Sequence, residues 1–509
     1  MDSSSLTYKT LRNIFYSLFG YAWPILFSVL ITPVVVHRLG ITSYGIYILV
    51  NTVTAFLSLI DLGLNAALTK YIAEYHAKAD WESLYGLLNS ARSLYVLIGV
   101  LGLTIFVILG RYASLLFHIS TGTQQQIWPV FLLAGLVFLI SSLSMVYVAL
   151  PLALQRYDIS TKLNISQLTL LNLAMLGLVL FGFQLKAIFL ANLGTTVLLL
   201  WAYRWYFKKL LPGIKLGYAW SGAQIKKIYE FGLLAAITNL ASNSLIQLDR
   251  FIVPIFTGPG LLTYYSLPGN VAQKTYGLVG SLGTVFFPLT SAFSATGDLG
   301  KIKEIYKKLF RNFTLIAAGL TTAIVIFAYK ILFYWLGKDF ADRGTQILII
   351  LALTYFILAV YGSLTNFLLG MGQVKFLVYF SVSLAILNLV LLLSLVPSFG
   401  ILGAAWAYLA AVLPVPFAFY WTEQKLLNLS GMRTFYLNLY AKLFATSILV
   451  WAIAVIFILP LTSSLPRLII VGPLTVLLYF VLYKFLGFMD QEDWLVFKSF
   501  VLKFKQEQV

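Results

Sequence analysis

The chain has 509 residues, 60% of them hydrophobic and only 10% charged. A soluble domain carries about 25% charged residues, so this composition excludes a soluble enzyme, a soluble nucleic-acid-binding domain and a disordered chain. The net charge of +18 reads as basic loops lying against anionic lipid rather than as affinity for nucleic acid. The absence of cysteine excludes disulfides, thiolate metal sites and cysteine nucleophiles.

From the N-terminus, Met1 to Asn13 is polar and basic, and an apolar run over 14–36 follows. That run is longer than a signal-peptide core and no small-residue cleavage site follows it, so it predicts a retained first span. Apolar runs long enough to span recur at 43–65, 91–113, 127–152, 161–182, 185–207, 229–252, 261–290, 309–336, 345–370, 374–396, 400–422, 436–460 and 465–487. The expected fold is therefore an all-α polytopic membrane protein of about 14 transmembrane helices, because runs of about 20 apolar residues are too long for barrel strands. Placing the N-terminus inside puts 26 Lys and Arg in the inner loops and tails against 8 in the outer loops, with Lys274 alone inside a span. That bias predicts an N-in, C-in topology.

A repeat runs through this order. Gly40-Ile-Thr-Ser-Tyr44 precedes the second span and Gly260-Leu-Leu-Thr-Tyr264 precedes the eighth, each followed after its span by a basic amphipathic stretch, one with Asp80 and one with Asp298. Six spans separate the copies, so both face the same way. The expectation is two pseudo-symmetric six-helix lobes, 1–215 and 216–425, with two further helices and a cytoplasmic tail in 426–509.

Polar residues inside spans mark candidate sites. The seventh span carries Asn239, Asn243, Gln247 and Arg250 within about 80° of one another on one helix face, with Asp249 off to the side. The eighth carries Asn270 and Lys274, and the second carries Asn51, Thr54, Ser58, Asp61 and Asn65. Such stripes line a water-filled cavity or bond to a neighbouring helix, and for Asn51, Thr54 and Ser58 the two readings stand level. Arg38 and Arg250 line the cavity or snorkel to the outer interface. Lys274, about ten residues inside its span, favours a cavity, because burying that charge costs a few kcal/mol. Asp61 and Asp249 are the candidates for binding a coupling cation.

Catalytic chemistry finds little footing. His37, His76 and His118 make no metal-ligand spacing, and Gly337-Lys338 lacks the rest of a nucleotide-binding loop. The longest expected outer loop, about 14 residues, is too small for a glycan-joining active site. A transporter remains, with a cationic cavity suited to phosphate, carboxylate and sugar hydroxyls. Needing no cofactor, it would draw on an H⁺ or Na⁺ gradient. A drug–cation antiporter, a membrane enzyme of polysaccharide assembly and a non-transporting scaffold are the competing readings.

The residues then become familiar. Arg38-Leu-Gly-Ile-Thr-Ser-Tyr-Gly-Ile-Tyr47, Asp61-Leu-Gly-Leu64, the amphipathic Leu68 to Asp80, Leu248-Asp-Arg-Phe-Ile-Val253, Thr263-Tyr-Tyr-Ser-Leu-Pro268 and Phe287-Pro-Leu-Thr-Ser-Ala292 resemble the polysaccharide-transporter branch of the multidrug/oligosaccharidyl-lipid/polysaccharide exporter superfamily, which includes Wzx-type O-antigen flippases. The resemblance implies alternating access between two lobes around a cationic cavity. It also implies a polyprenyl-diphosphate-linked oligosaccharide substrate, flipped from the cytoplasmic to the outer leaflet of a bacterial inner or archaeal cell membrane. Membrane lipid and polysaccharide assembly proteins are the partners it implies, and nucleic acid is not among them. In lipid-II-type relatives arginines of the first helix line the cavity, whereas here Phe15 to Val36 carries no charge, which favours a general polysaccharide-repeat substrate.

Overall fold

In hydrocarbon, backbone amides and carbonyls find no water and must bond within their own segment. The computed structural model describes Trp23 and residues 27–488 apart from 62, 120, 215, 284–289, 292 and 295–298, with the side chains of 60, 121–126, 231–244, 282 and 283 also outside the description. Among the described residues every regular element is helical. In chain order they are α1 (Phe27–Leu39), α2 (Ile41–Ser58, closed by a tight turn Leu59–Asp61), α3 (Leu64–Ala77), α4 (Trp81–Arg111) and α5 (Ala113–Phe117). Next come α6 (Thr121–Ala153), α7 (Tyr157–Leu180), α8 (Leu185–Leu210) and α9 (Gly222–Gly283). The remainder are α10 (Leu299–Leu336), α11 (Lys338–Gly370), α12 (Val374–Val412), α13 (Val415–Trp421), α14 (Met432–Ile453) and α15 (Leu465–Phe485).

Eleven helices of the described residues are long and apolar enough to cross a membrane, and the protein is a multi-pass membrane protein. Two of the eleven contain a break where the sequence places a loop. Gly258 in α9 has φ 79°, ψ 165°, and Gly400 in α12 has φ 58°, ψ −138°, torsions open to a residue without a Cβ. Gly40, ahead of α2, has nearly the torsions of Gly258, φ 83° and ψ 157°. The sequence repeat aligns Gly40 with Gly260; the structure puts the matching torsion two residues earlier, because Pro259 and Gly260 already belong to the next helical run. The predicted first span, 14–36, lies outside the described residues over 14–22 and 24–26.

The chain forms two compact units, Met1–Thr263 and Tyr264–Val509. Specific bonds tie the segment after α8 to the first unit. Arg92 Nη1 donates to Leu216 O at 2.6 Å and its guanidinium stacks 4.3 Å from the Tyr218 ring centroid. Asn89 Oδ1 accepts from Gly217 N at 2.7 Å, and Lys227 Nζ donates to Tyr75 OH at 2.9 Å, a bond that raises the Lys227 pKa above its ordinary value.

Within the first unit α4 and α6 approach closely through small residues. A Cβ on Gly102 would stand 2.2 Å from the Phe138 ring, and one on Gly135 would stand 2.7 Å from Leu103. In the second unit Lys330 of α10 clasps the turn after α14. Its Nζ donates to Thr462 O at 2.9 Å, to Thr462 Oγ1 at 2.7 Å and to Leu459 O, satisfying carbonyls that a helix end leaves without amide partners. Gly102→Ala is expected to overpack the α4–α6 seam by about 1–3 kcal/mol, read as a lower thermal midpoint in detergent; an unchanged midpoint would refute the tight seam.

Candidate functional site

The polar stripe of α2 is bonded to its own helix. Asn51 Nδ2 donates to Tyr47 O at 2.7 Å, Thr54 Oγ1 to Val50 O at 2.9 Å and Ser58 Oγ to Thr54 O at 2.8 Å. Asn51 is exposed, as is Arg38 at the end of α1. Asp61 terminates the turn after α2 and its Oδ1 accepts from Tyr95 OH of α4 at 2.7 Å. Beyond α3, Lys78 Nζ lies 2.6 Å from Glu74 Oε1 and draws that carboxyl below the usual range. Ser83, first through its hydroxyl and then through its amide at 3.0 Å, does the same to Asp80, which caps α4.

The first half of α9 supplies the rest of the first-unit candidates. Asn239 and Asn243 fall in 231–244, whose side chains lie outside the described set. Gln247 and Arg250 are half-buried; Asp249 is 3% exposed, and its Oδ1 accepts from the Arg250 amide at 2.9 Å. Asn270 and Lys274 sit half-buried on the second half of α9. Arg250 therefore belongs to the first unit and Lys274 to the second. His37 Nδ1 bonds Pro33 O at 2.7 Å, and among the described residues no group of three or more His, Asp or Glu is placed to hold a metal ion.

The two repeat motifs meet inside the first unit. Thr263 Oγ1 donates to Ile41 O at 2.8 Å. The Pro259 carbonyl rests against Gly45 so closely that a Cβ there would fall 1.8 Å from its oxygen, and a Cβ on Gly260 would stand 3.4 Å from Thr42 Oγ1. Sequence reasoning singled out these motifs as a repeat but not as surfaces that touch. The small residues Gly45 and Gly260 are the signal for such an approach.

A family model described as "Polysaccharide biosynthesis protein" matches residues 35–343, more than half of the chain. A Shigella flexneri protein named "Putative O-antigen transporter" is 21% identical over 398 residues, 78% of this chain and 93% of its own length. The "Uncharacterized membrane protein EpsK" of Bacillus subtilis is 20% identical over 331 residues, 65% of this chain and 66% of its own. Among solved structures, the lipid II flippase MurJ in an inward closed conformation superposes with TM-score 0.68 at 12% identity, covering 93% of this chain and 99% of MurJ. An inward-facing multidrug resistance MATE family transporter of the MOP superfamily also superposes with TM-score 0.68, at 11% identity over 80% of this chain and 97% of that one. At these identities the likeness is one of fold.

Arg92→Ala is expected to free the segment after α8, raising the rate of limited proteolysis within 211–221 about tenfold, the equivalent of one hydrogen bond to a charged group. Unchanged cleavage would show that the segment is held by other means.

Proposed function

The chain belongs to the polysaccharide biosynthesis protein family, and on that premise we propose that it is a flippase for polyprenyl-diphosphate-linked oligosaccharide, carrying the repeat unit of a polysaccharide from the cytoplasmic to the outer leaflet by alternating access. The observation that carries this reading is Lys274, a half-buried lysine deep in a membrane-crossing helix of a chain in this family. A lysine at such depth costs roughly 2.5–3.5 kcal/mol. A diphosphate head group that must leave water finds in this lysine a cation to bond. Gln247, Asn270 and the asparagines Asn239, Asn243 and Asn51 offer donors and acceptors to sugar hydroxyls, and Arg250 and Arg38 add cations.

In this reading the interruptions at Gly258 and Gly400 each separate two spans, and α1 belongs to the first span of the sequence. The count is then fourteen spans, N-in and C-in, in two six-helix lobes with α14 and α15 appended. The contact of α2 with the turn at Pro259 becomes the closed outer gate. It parts when one lobe rocks against the other, and the prenyl chain stays in lipid throughout. An H⁺ or Na⁺ gradient supplies the energy, with Asp61 and Asp249 as carboxylates for the coupling cation. The name of the Shigella flexneri relative and the fold shared with MurJ support a lipid-linked substrate.

The test is flipping of a fluorescent polyprenyl-diphosphate oligosaccharide by the full chain in proteoliposomes. Wild type is expected to flip it, and Lys274→Ala and Arg250→Ala are each expected to slow it roughly tenfold or more, the loss of a charge-assisted contact. Absence of wild-type flipping across several glycans and imposed gradients would overturn the function. Full activity in both variants would keep the function and overturn the site.

A further inference from the structure

Glu423 is a buried carboxylate, 2% exposed, outside the polar stripes of α2 and α9. It stands on a wide turn, Thr422–Leu426, that extends α13. The Leu427 amide bonds back to Thr422 O at 3.0 Å, a five-residue register that is uncommon and concentrated at functional sites, and Leu429 N reaches Glu423 O, six residues back, at 2.9 Å. Glu423 Oε1 accepts from Tyr306 OH of α10 at 2.8 Å and from Tyr436 OH of α14. Among the described residues no donor reaches Oε2, and no Lys, Arg or His nitrogen lies within 4.0 Å of either oxygen.

The same carboxyl forms part of the wall of a cavity of about 650 Å³ within the second unit. Its lining is mostly aromatic and aliphatic, with Gln424 and Arg433 as the other polar side chains besides tyrosine. The groups that face it can be named element by element. From α10 comes Tyr306; from α14 come Arg433, Tyr436 and Tyr440; from α13 comes Tyr420; and α11 contributes Phe356, Ile357 and Val360, none of which titrates. Arg433 and Tyr420 are exposed and so stand at the mouth.

A carboxylate withdrawn from water needs a counter-charge or a full set of donors. Here both donors serve one oxygen. A hard cation wants six or more oxygen ligands, and beside the free carboxylate oxygen this wall brings one amide and the hydroxyls of Tyr420, Tyr436 and Tyr440, fewer than that, with Arg433 adding a positive charge. A proton needs only Oε2. We propose that Glu423 is a proton-binding site that couples transport to a pH gradient, with Oε2 taking the proton through the cavity. The proposal rests on the reading of the chain as a gradient-driven flippase and adds a second-unit carboxylate to Asp61 and Asp249. Because Oε1 accepts from Tyr306 of α10 and Tyr436 of α14, losing the proton strengthens both bonds and draws α14 against α10, and gaining it weakens them.

The test has two readouts on the full chain in liposomes. Infrared difference spectra across a pH titration are expected to show a protonated-carboxyl band that vanishes in Glu423→Gln. In Tyr436→Phe, which removes one donor from the charged form, the midpoint of that band is expected to move up by roughly one pH unit. Flipping by wild type is expected to rise several-fold under an imposed pH gradient, and Glu423→Gln is expected to flip at the ungraded rate whatever the gradient. A carboxyl band that persists unchanged in Glu423→Gln, or a midpoint unmoved in Tyr436→Phe, overturns the proposal. So does a full gradient response in Glu423→Gln when wild type flips. Failure of wild type to flip at all would fall on the flippase reading, and the infrared titration would still decide the proton site.

Discussion

Hydrocarbon offers neither hydrogen bonds nor counter-charges, and every notable feature of this chain is an answer to one of those two shortages. The shortage of hydrogen bonds makes the fold helical throughout the described residues. It also explains why polar side chains turn back on their own helices, as Asn51, Thr54 and Ser58 do, and why Lys330 spends its ammonium on the carbonyls of Leu459 and Thr462. The cost of carrying charge into hydrocarbon draws the eye to Lys274 and Glu423. One is a half-buried cation within a crossing helix and the other is a buried acid that, among the described residues, accepts from two tyrosines. Opposite in sign, they suit the two ends of one transport cycle, an anionic head group and a proton.

Moving such a chain between states requires contacts that can be broken and remade. The meeting of the two repeat motifs has that character. It rests on Gly45, Pro259 and Gly260 and on one hydroxyl bond from Thr263, none of them a charged residue. Close backbone approach gains dispersion energy without a charge to strand when it opens. The segment after α8 is held differently, by Arg92, Asn89 and Lys227, with charge-assisted bonds that resist opening. A soft contact at one place and a firm strap at another is what a rocking motion of helices needs.

Much of this was legible in the sequence, and the rest was not for identifiable reasons. Spans are legible because a crossing helix needs about 20 apolar residues and the runs are that long. The breaks at Gly258 and Gly400 are legible because glycine and proline interrupt the apolar pattern there. The position of the repeat was shifted by two residues, because letter matching aligns Gly260 while the backbone torsion sits on Gly258. The stripe of α2 could not be decided, since whether a threonine lines water or bonds its own turn depends on a rotamer. Glu423 was invisible: Thr422-Glu-Gln-Lys425 reads as an interfacial loop, and its burial is created by Tyr306, more than a hundred residues earlier, and by Tyr436.

On the proposed function, the contact between α2 and the Pro259 turn opens and closes as the protein works. A chain without cysteine allows that to be measured directly. Thr42→Cys with Gly260→Cys places two thiols where a Cβ at 260 would stand 3.4 Å from the side chain at 42, close enough for a disulfide. The pair is expected to oxidise readily in the full chain in liposomes, oxidation to stop flipping, and a reductant to restore it. Full cross-linking with undiminished flipping would contradict that opening and closing.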